Sequence, residues 1–199
     1  PRRAQRKENA YAGYEIDLQT DEQGNLWVAH DPEEMAQQIK LADIFSALKN
    51  PGQKAYWLDL KTQLTPAQLD QILLTAQAFH IPQENLLLET VPGDTAKMIN
   101  KKKLNLLLQL PESFDKDFND PQARKEINQN ALQEWEEYRP AAVSASFGKY
   151  TYLRAYFPEM PKAIYYSSTK RPSLKKPFMI NHMKEDPSVK IFLIDEYTW

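Results

Sequence analysis

Short apolar runs alternate along the chain with longer segments in which apolar residues recur at helical spacing. The short runs are apolar almost throughout, which is typical of strands in a sheet that is covered on both faces. A further extended piece, 26–29, follows a polar turn at 21–25. The runs predict seven strands, at 11–18, 55–60, 86–89, 104–110, 141–145, 163–166 and 189–194.

Helical patterns separate most of these strands. Asp31 can cap the first helix, with Pro32 in its first turn, and Asn50-Pro51-Gly52 ends the pattern. Thr65 and Pro66 begin the next helix in the same way. Strands that alternate with helices predict βαβ units and a parallel sheet. The predicted helices cover 32–48, 66–76, 94–100 and 121–138.

Polar residues help to choose between two architectures, a closed barrel and an open doubly wound sheet. Charged side chains lie at or near the C-terminal ends of successive predicted strands, where a barrel has its active-site rim. An open sheet would favour a glycine-rich phosphate loop after its first strand, and the sequence has none there. The charged residues at the predicted strand ends are Glu15, Asp17, Asp59, Lys61 and Glu89.

The predicted fold class is therefore α/β, a (β/α)8 TIM-barrel-like domain that spans residues 1–199. Seven strands are one fewer than such a barrel has. We expect the barrel to be lacking or truncated at its first strand, which would lie upstream of Pro1.

Composition and charge argue against several kinds of function and site. The formal net charge is -2, so the bulk charge gives no indication of nucleic-acid binding. The sequence has no cysteine, which excludes disulfides, thiolate metal sites and cysteine nucleophiles. No apolar run approaches the roughly 20 residues that span a bilayer, so we expect a soluble protein without a transmembrane segment.

Glu15 and Asp17 form the first candidate for chemistry. Residues two apart on a strand point to the same face, and two carboxylates inside an apolar run would repel each other. One divalent cation, Mg²⁺ or Ca²⁺, would remove that cost, because both prefer hard oxygen ligands. The alternative is a carboxylate pair at a solvated strand end.

Three further residues extend this candidate site. His30, at the end of the extended piece, can act as a general acid or base near neutral pH. Asp59 and Lys61 share one face of the second strand, where Asp59 can complete the metal ligands and Lys61 can hold a phosphate. An Asp59–Lys61 ion pair at a strand end is the alternative.

The run Gly13-Tyr14-Glu15-Ile16-Asp17-Leu18, followed by His30-Asp31, resembles the signature of the glycerophosphodiester phosphodiesterase-like superfamily. The resemblance implies that Glu15 and Asp17 bind a metal and that His30 is catalytic. Leu58-Asp59-Leu60-Lys61-Thr62 is similar to the third-ligand motif of its sphingomyelinase D/phospholipase D branch. These motifs cover about the first third of the chain and imply a phosphodiester or phospholipid-headgroup substrate.

Weaker predictions concern the mouth of the site. Glu89 can face the site or take part in a salt bridge, and Tyr165 can pack in the core or line the substrate mouth. Trp199 is similar to an aromatic residue that the branch uses near the substrate. The resemblance also favours a periplasmic or secreted location. The family carries another histidine on its first strand, and no histidine precedes Glu15 here.

Two functions follow from this comparison of motifs. The first is a metal-dependent phosphodiester hydrolase or phospholipase D-like enzyme of lipid metabolism. The second is a catalytically degenerate barrel that serves as a binding or scaffold module. A carboxylate-pair glycosidase ranks last, because carboxylates two apart on one strand are poorly directed to flank a glycosidic bond.

Overall fold

The computed structural model of the chain describes residues 11–110, 121–166 and 175–194. All seven predicted strands occur, with ends that shift by at most two residues, together with a short strand at 26–28. The strands are β1 (Gly13–Thr20), β2 (Leu26–Val28), β3 (Ala55–Leu60), β4 (Leu86–Thr90), β5 (Asn105–Gln109), β6 (Ala142–Ser146), β7 (Lys162–Tyr166) and β8 (Val189–Ile194).

Helices follow most of the strands, as the sequence pattern predicts. In the described residues none of them is long and apolar enough to cross a membrane. The α-helices are α1 (Leu41–Ser46), α2 (Pro66–Ala78), α3 (Asp94–Lys101), α4 (Pro121–Tyr138), α5 (Tyr150–Tyr156) and α6 (Lys175–Glu185), with short 3-10 turns at Pro32–Gln37, Pro51–Gln53, Gln83–Asn85 and Phe147–Lys149.

The helices differ from the prediction at 32–48, in α5 and in α6, a segment for which the sequence left a helix or a loop open. The expected helix at 32–48 divides into the 3-10 turn Pro32–Gln37 and α1, because Gln38 adopts a left-handed conformation with φ 52° that ends the first piece. The sequence pattern also missed α5. Four of its seven residues, Tyr150, Thr151, Tyr152 and Tyr156, are aromatic or β-branched types with modest helix propensity.

The chain contains two compact units, Pro1–Leu106 and Leu107–Trp199. In the first, β1 pairs in parallel with β3 and β3 with β4, while β2 pairs antiparallel with the end of β1. In the second, β5, β6, β7 and β8 pair in parallel in that order. The predicted α/β class with parallel strands is thus confirmed within each unit.

Strand β3 has an apolar face and a polar face. Tyr56 is fully buried, and its ring lies 4.7 Å from the ring of Phe45 in α1, so this side of β3 packs against the helices. Leu58 and Leu60 have the same parity as Tyr56 and are also buried. Alternation therefore sends Asp59 to the opposite face of the sheet.

The loop after β3 is fixed by side-chain hydrogen bonds to its neighbours. Thr95, at the start of α3, accepts a bond from the Leu64 backbone N–H at 2.6 Å and donates its own N–H to Gln63 at 3.0 Å. Gln68 in the first turn of α2 donates to the Gly24 carbonyl of the β1–β2 hairpin at 2.8 Å. These bonds hold the C-terminal end of β3 in place.

In the second unit, helices pack on one face of the strands. Val143 and Ile164 belong to a buried cluster with Ile127 of α4, Leu153 of α5 and Met183 of α6. The burial of this apolar face is the main source of the unit's stability.

Lys162 is a buried charge at the start of β7. Its ammonium donates to the backbone carbonyls of Phe157, Pro158 and Met160 at 2.8–3.2 Å, and to the Ser188 hydroxyl at 2.9 Å. Burial lowers the pKa of Lys162, and the nearby carboxylates of Asp186 and Glu159 oppose that shift. The ammonium thus ties the segment before β7 to the segment before β8.

We expect Lys162→Met to lower the free energy of unfolding by about 3 kcal/mol, because it leaves buried carbonyls without a donor. Methionine keeps the length of the side chain, so the loss of packing is small. Urea unfolding measures the difference, with the exposed Lys184→Met as the matched control. A loss below about 0.5 kcal/mol would show that the ammonium contributes little.

Candidate metal centre

The candidate site in the first unit depends on strand register. In the parallel pair β1–β3, Asp17 lies opposite Asp59 and Glu15 lies opposite Trp57. In the next pair, Asp59 lies opposite Glu89. Side chains at matched positions of parallel strands point to the same face, so the register forms a row of carboxylates across three strands.

Three of these carboxylates form a compact cluster. One oxygen each from Glu15, Asp17 and Asp59 lies within 4.8 Å of the other two, and all three residues are partly buried. Carboxylate oxygens are the ligands that Mg²⁺ and Ca²⁺ prefer, so this donor set fits either ion. The structure thus brings together the three residues that the sequence identified as metal ligands.

Lys61 lies among these carboxylates. Its Nζ is 2.8 Å from Asp17 Oδ1 and 2.5 Å from Asp59 Oδ2, and only 23% of its side chain is exposed. The Asp59–Lys61 ion pair considered at the sequence level is therefore present, and it includes Asp17 as well. Lys61 balances part of the negative charge of the cluster.

The charge balance in the cluster is incomplete. Burial, followed by the repulsion and the hydrogen bond from Asp17 and by the charge of Asp59, raises the pKa of Glu15 to about 8. Burial also raises the pKa of Asp59, although Lys61 acts in the opposite direction. Burial alone would lower the pKa of Lys61, but its bonds to both aspartates raise it. The raised pKa of Glu15 and the ammonium of Lys61 both reduce the net negative charge of the cluster near neutral pH.

His30 lies on the loop after β2, with 61% of its side chain exposed. Its Nδ1 is 3.1 Å from Asp31 Oδ1, and its backbone N–H donates to Glu34 at 2.8 Å. The charge that His30 can carry acts to lower the pKa of Asp59, so the imidazole lies within electrostatic reach of the cluster.

Gln19 is a site residue that the sequence reasoning missed. It is 7% exposed, and its side-chain amide donates to the His30 carbonyl at 3.2 Å. Gln19 has the same strand parity as Glu15 and Asp17. That continued alternation was the signal that could have identified it.

Glu89 completes the row on β4. It is 4% exposed, and its carboxylate accepts a hydrogen bond from the indole N–H of Trp57. Trp57, an apolar residue of β3, faces the row and holds Glu89. A buried carboxylate is costly without such a donor, which explains the pairing.

Two sequence candidates, Tyr165 and Trp199, and two further histidines have still to be located. Tyr165 belongs to the second unit, on the face of β7 opposite the one that Ile164 packs against the helices. Trp199 lies outside the described residues. His80 follows α2 in a left-handed conformation, and His182 on α6 contacts Arg154.

The fold is similar to that of a solved structure. The crystal structure of a glycerophosphodiester phosphodiesterase from Parabacteroides distasonis matches with a TM-score of 0.61 and 12% sequence identity, over 95% of this chain and 82% of that chain. No family model and no curated protein matches the sequence. The expected glycerophosphodiester phosphodiesterase-like fold is thereby supported, and the sphingomyelinase D branch stays a prediction.

The raised pKa of Glu15 predicts a dependence of stability on pH. In EDTA, the folded protein should hold the Glu15 proton up to about pH 8, whereas the unfolded chain loses it near 4.5. The folded state binds more protons between these values, so its stability should fall as the pH rises through them.

Glu15→Gln removes this titration. We expect the variant to gain on the order of 2 kcal/mol relative to wild type between pH 5 and pH 8, less than a lone group would give, since the pKa of the neighbouring Asp59 is also raised. Urea unfolding at both pH values measures the gain, and the exposed Glu22→Gln serves as the control. If the free energy of unfolding depended on pH in the same way for wild type and Glu15→Gln, Glu15 would not be the group that holds the proton.

Proposed function

We propose that this chain is a metal-dependent phosphodiester hydrolase, or a phospholipase D-like enzyme, that acts on a glycerophosphodiester or phospholipid-type substrate. The observation that carries the proposal is the cluster of Glu15, Asp17 and Asp59 with Lys61 at its edge. The likeness in fold to a glycerophosphodiester phosphodiesterase supports it.

Glu15, Asp17 and Asp59 would hold one divalent cation, Mg²⁺ or Ca²⁺. Their oxygens already lie within 4.8 Å of one another, and their mutual repulsion disfavours the cluster without a counter-charge. When bound, the cation would supply Lewis-acid stabilisation of a phosphate oxygen.

Lys61 and His30 would carry the remaining chemistry. The Lys61 ammonium offsets the charge that develops on phosphate oxygens. Asp31 lies against Nδ1 of His30, which leaves Nε2 to exchange a proton with the leaving alcohol or the attacking group. Gln19 fixes the backbone of His30 and acts as a positioning residue.

The same proposal covers the finer expectations for substrate, fold and location. Glu89 and Tyr165 would be weaker substrate contacts, and Trp199 would correspond to an aromatic residue that the sphingomyelinase D/phospholipase D branch uses near the substrate. The βα units would belong to a (β/α)8 barrel, and an additional strand would lie beside β1, since β2 pairs only with the last three residues of β1. A periplasmic or secreted location and a role in lipid metabolism follow from the resemblance.

A chelator experiment tests the metal requirement. We expect hydrolysis of bis(4-nitrophenyl) phosphate and glycerophosphocholine to stop in EDTA and to return with Mg²⁺ or Ca²⁺. Asp59→Asn should lower kcat/KM at least about a hundredfold, because it removes a charged ligand. Asp70→Asn, at an exposed ion pair with Lys102, is the matched control. Activity that is unchanged both in EDTA and in the Asp59→Asn variant would contradict the metal mechanism.

Replacement of His30 separates proton transfer from metal binding. We expect His30→Gln to lower kcat about a hundredfold or more, the usual contribution of a general acid or base, and to leave Mg²⁺ affinity within about twofold. Calorimetry measures the affinity, and His80→Gln is the control. An active His30→Gln enzyme would exclude His30 from proton transfer.

A degenerate barrel without catalysis is the second candidate function. It is favoured by the contacts of Lys61, which already balance part of the charge of Asp17 and Asp59 without a metal. This reading predicts no turnover of either substrate in Mg²⁺ or Ca²⁺, even in well-folded protein. The activity screen above distinguishes the two functions.

A further inference from the structure

Lys61 already places a positive charge on two of the three carboxylates of the candidate metal centre. Its Nζ bridges Asp17 Oδ1 and Asp59 Oδ2, at 2.8 and 2.5 Å. These are two of the three residues whose oxygens form the candidate metal centre. No such salt bridge joins Lys61 to Glu15 among the described residues.

An ammonium and a divalent cation bound to the same carboxylates would repel each other strongly. Charges of +1 and +2 a few ångströms apart in a partly buried cluster repel each other far more than they would in water. The side chains of Lys61, Asp17 and Asp59 are all between 19% and 23% exposed, so solvent screens them only in part. The carboxylates can therefore fully stabilise either the ammonium or the metal, but not both at the same time.

We propose that Lys61 is a built-in counter-cation that a divalent metal displaces from Asp17 and Asp59, so that metal binding releases the ammonium to bind the substrate phosphate. This inference rests on the proposed function and adds to it that the metal binds before Lys61 engages the substrate phosphate. In the metal-free protein, Lys61 is engaged with Asp17 and Asp59 and balances part of their negative charge. Binding of the metal converts Lys61 into an anion-binding group.

The movement is confined to the side chain of Lys61. The Lys61 backbone N–H is fixed to the Leu18 carbonyl at 2.9 Å. Directly beyond it, Thr62 bonds Thr20 at 2.8 Å, and Leu64 bonds Thr95. The flexible four-carbon stem of lysine can therefore carry the ammonium to a new position while the strand stays in place.

The proposal is tested by removing the ammonium. Lys61→Met keeps the length of the side chain and abolishes the competing charge. We expect Mg²⁺ to bind this variant at least about tenfold more tightly than wild type by calorimetry. In EDTA its Tm should fall, since the carboxylates lose their counter-charge. Its gain in Tm on addition of Mg²⁺ should exceed that of wild type.

Lys102→Met is the matched control, since Lys102 also pairs with an aspartate, Asp70, at 2.7 Å but lies outside the cluster. It should leave Mg²⁺ affinity unchanged. The proposal would be overturned if Lys61→Met bound Mg²⁺ no more tightly than wild type does. Lys61 would then hold the metal ligands in place rather than compete with the metal for them.

Nuclear magnetic resonance of the lysine NH₃⁺ groups provides a readout in the wild-type protein that needs no activity. We expect the Lys61 ¹⁵Nζ signal in wild type, assigned by its loss in Lys61→Met, to shift on Mg²⁺ titration with the same dissociation constant as calorimetry. A Lys61 signal that stays constant while Mg²⁺ binds would contradict displacement.

These outcomes separate the inference from the proposed function. Metal-dependent hydrolysis with unchanged Mg²⁺ affinity in Lys61→Met would reject the counter-cation role and leave the enzyme assignment intact. Tighter Mg²⁺ binding by Lys61→Met without any hydrolysis in wild type would support the displacement and reject the enzyme. Absence of Mg²⁺ binding by both proteins would reject the displacement.

Discussion

Repulsion among carboxylates on hydrogen-bonded strands is the constraint on which the site depends. The parallel register of β1 and β3 sets Asp17 opposite Asp59, and the alternation of β1 adds Glu15 on the same face. The strands are fixed by backbone hydrogen bonds and by the apolar face that packs under the helices, so the carboxylates cannot separate. Their charge has to be balanced where they are, by a proton, an ammonium or a metal.

This constraint explains why a sequence pattern could locate much of the cluster. An acidic residue inside an apolar strand run is costly, and residues two apart share a face, so Glu15-Ile16-Asp17 and Asp59-Leu60-Lys61 could be recognised without a structure. Pairing of the two strands was predicted from the βα alternation. The relative register could not be predicted, because apolar runs without alternation do not specify it.

Tertiary contacts account for what the sequence reasoning missed. Gln19 and Trp57 have ordinary strand identities, and only the folded arrangement shows that one holds the His30 carbonyl and the other holds Glu89. The break at Gln38 and the short tyrosine-rich α5 were invisible to helical periodicity for a different reason. Each depends on local backbone geometry or packing that overrides propensity.

The loop after β2, which carries His30, lies outside the strands that carry the carboxylates. The imidazole is mostly exposed and is connected to β1 through Gln19 and the short β2 pairing, whereas Asp17 and Asp59 lie within the paired part of the sheet. Changes in the length or composition of this loop would therefore move His30 while Glu15, Asp17 and Asp59 kept their spacing. In evolutionary terms the two capacities proposed for them, proton transfer and cation binding, could be lost independently, the first through mutations confined to one loop.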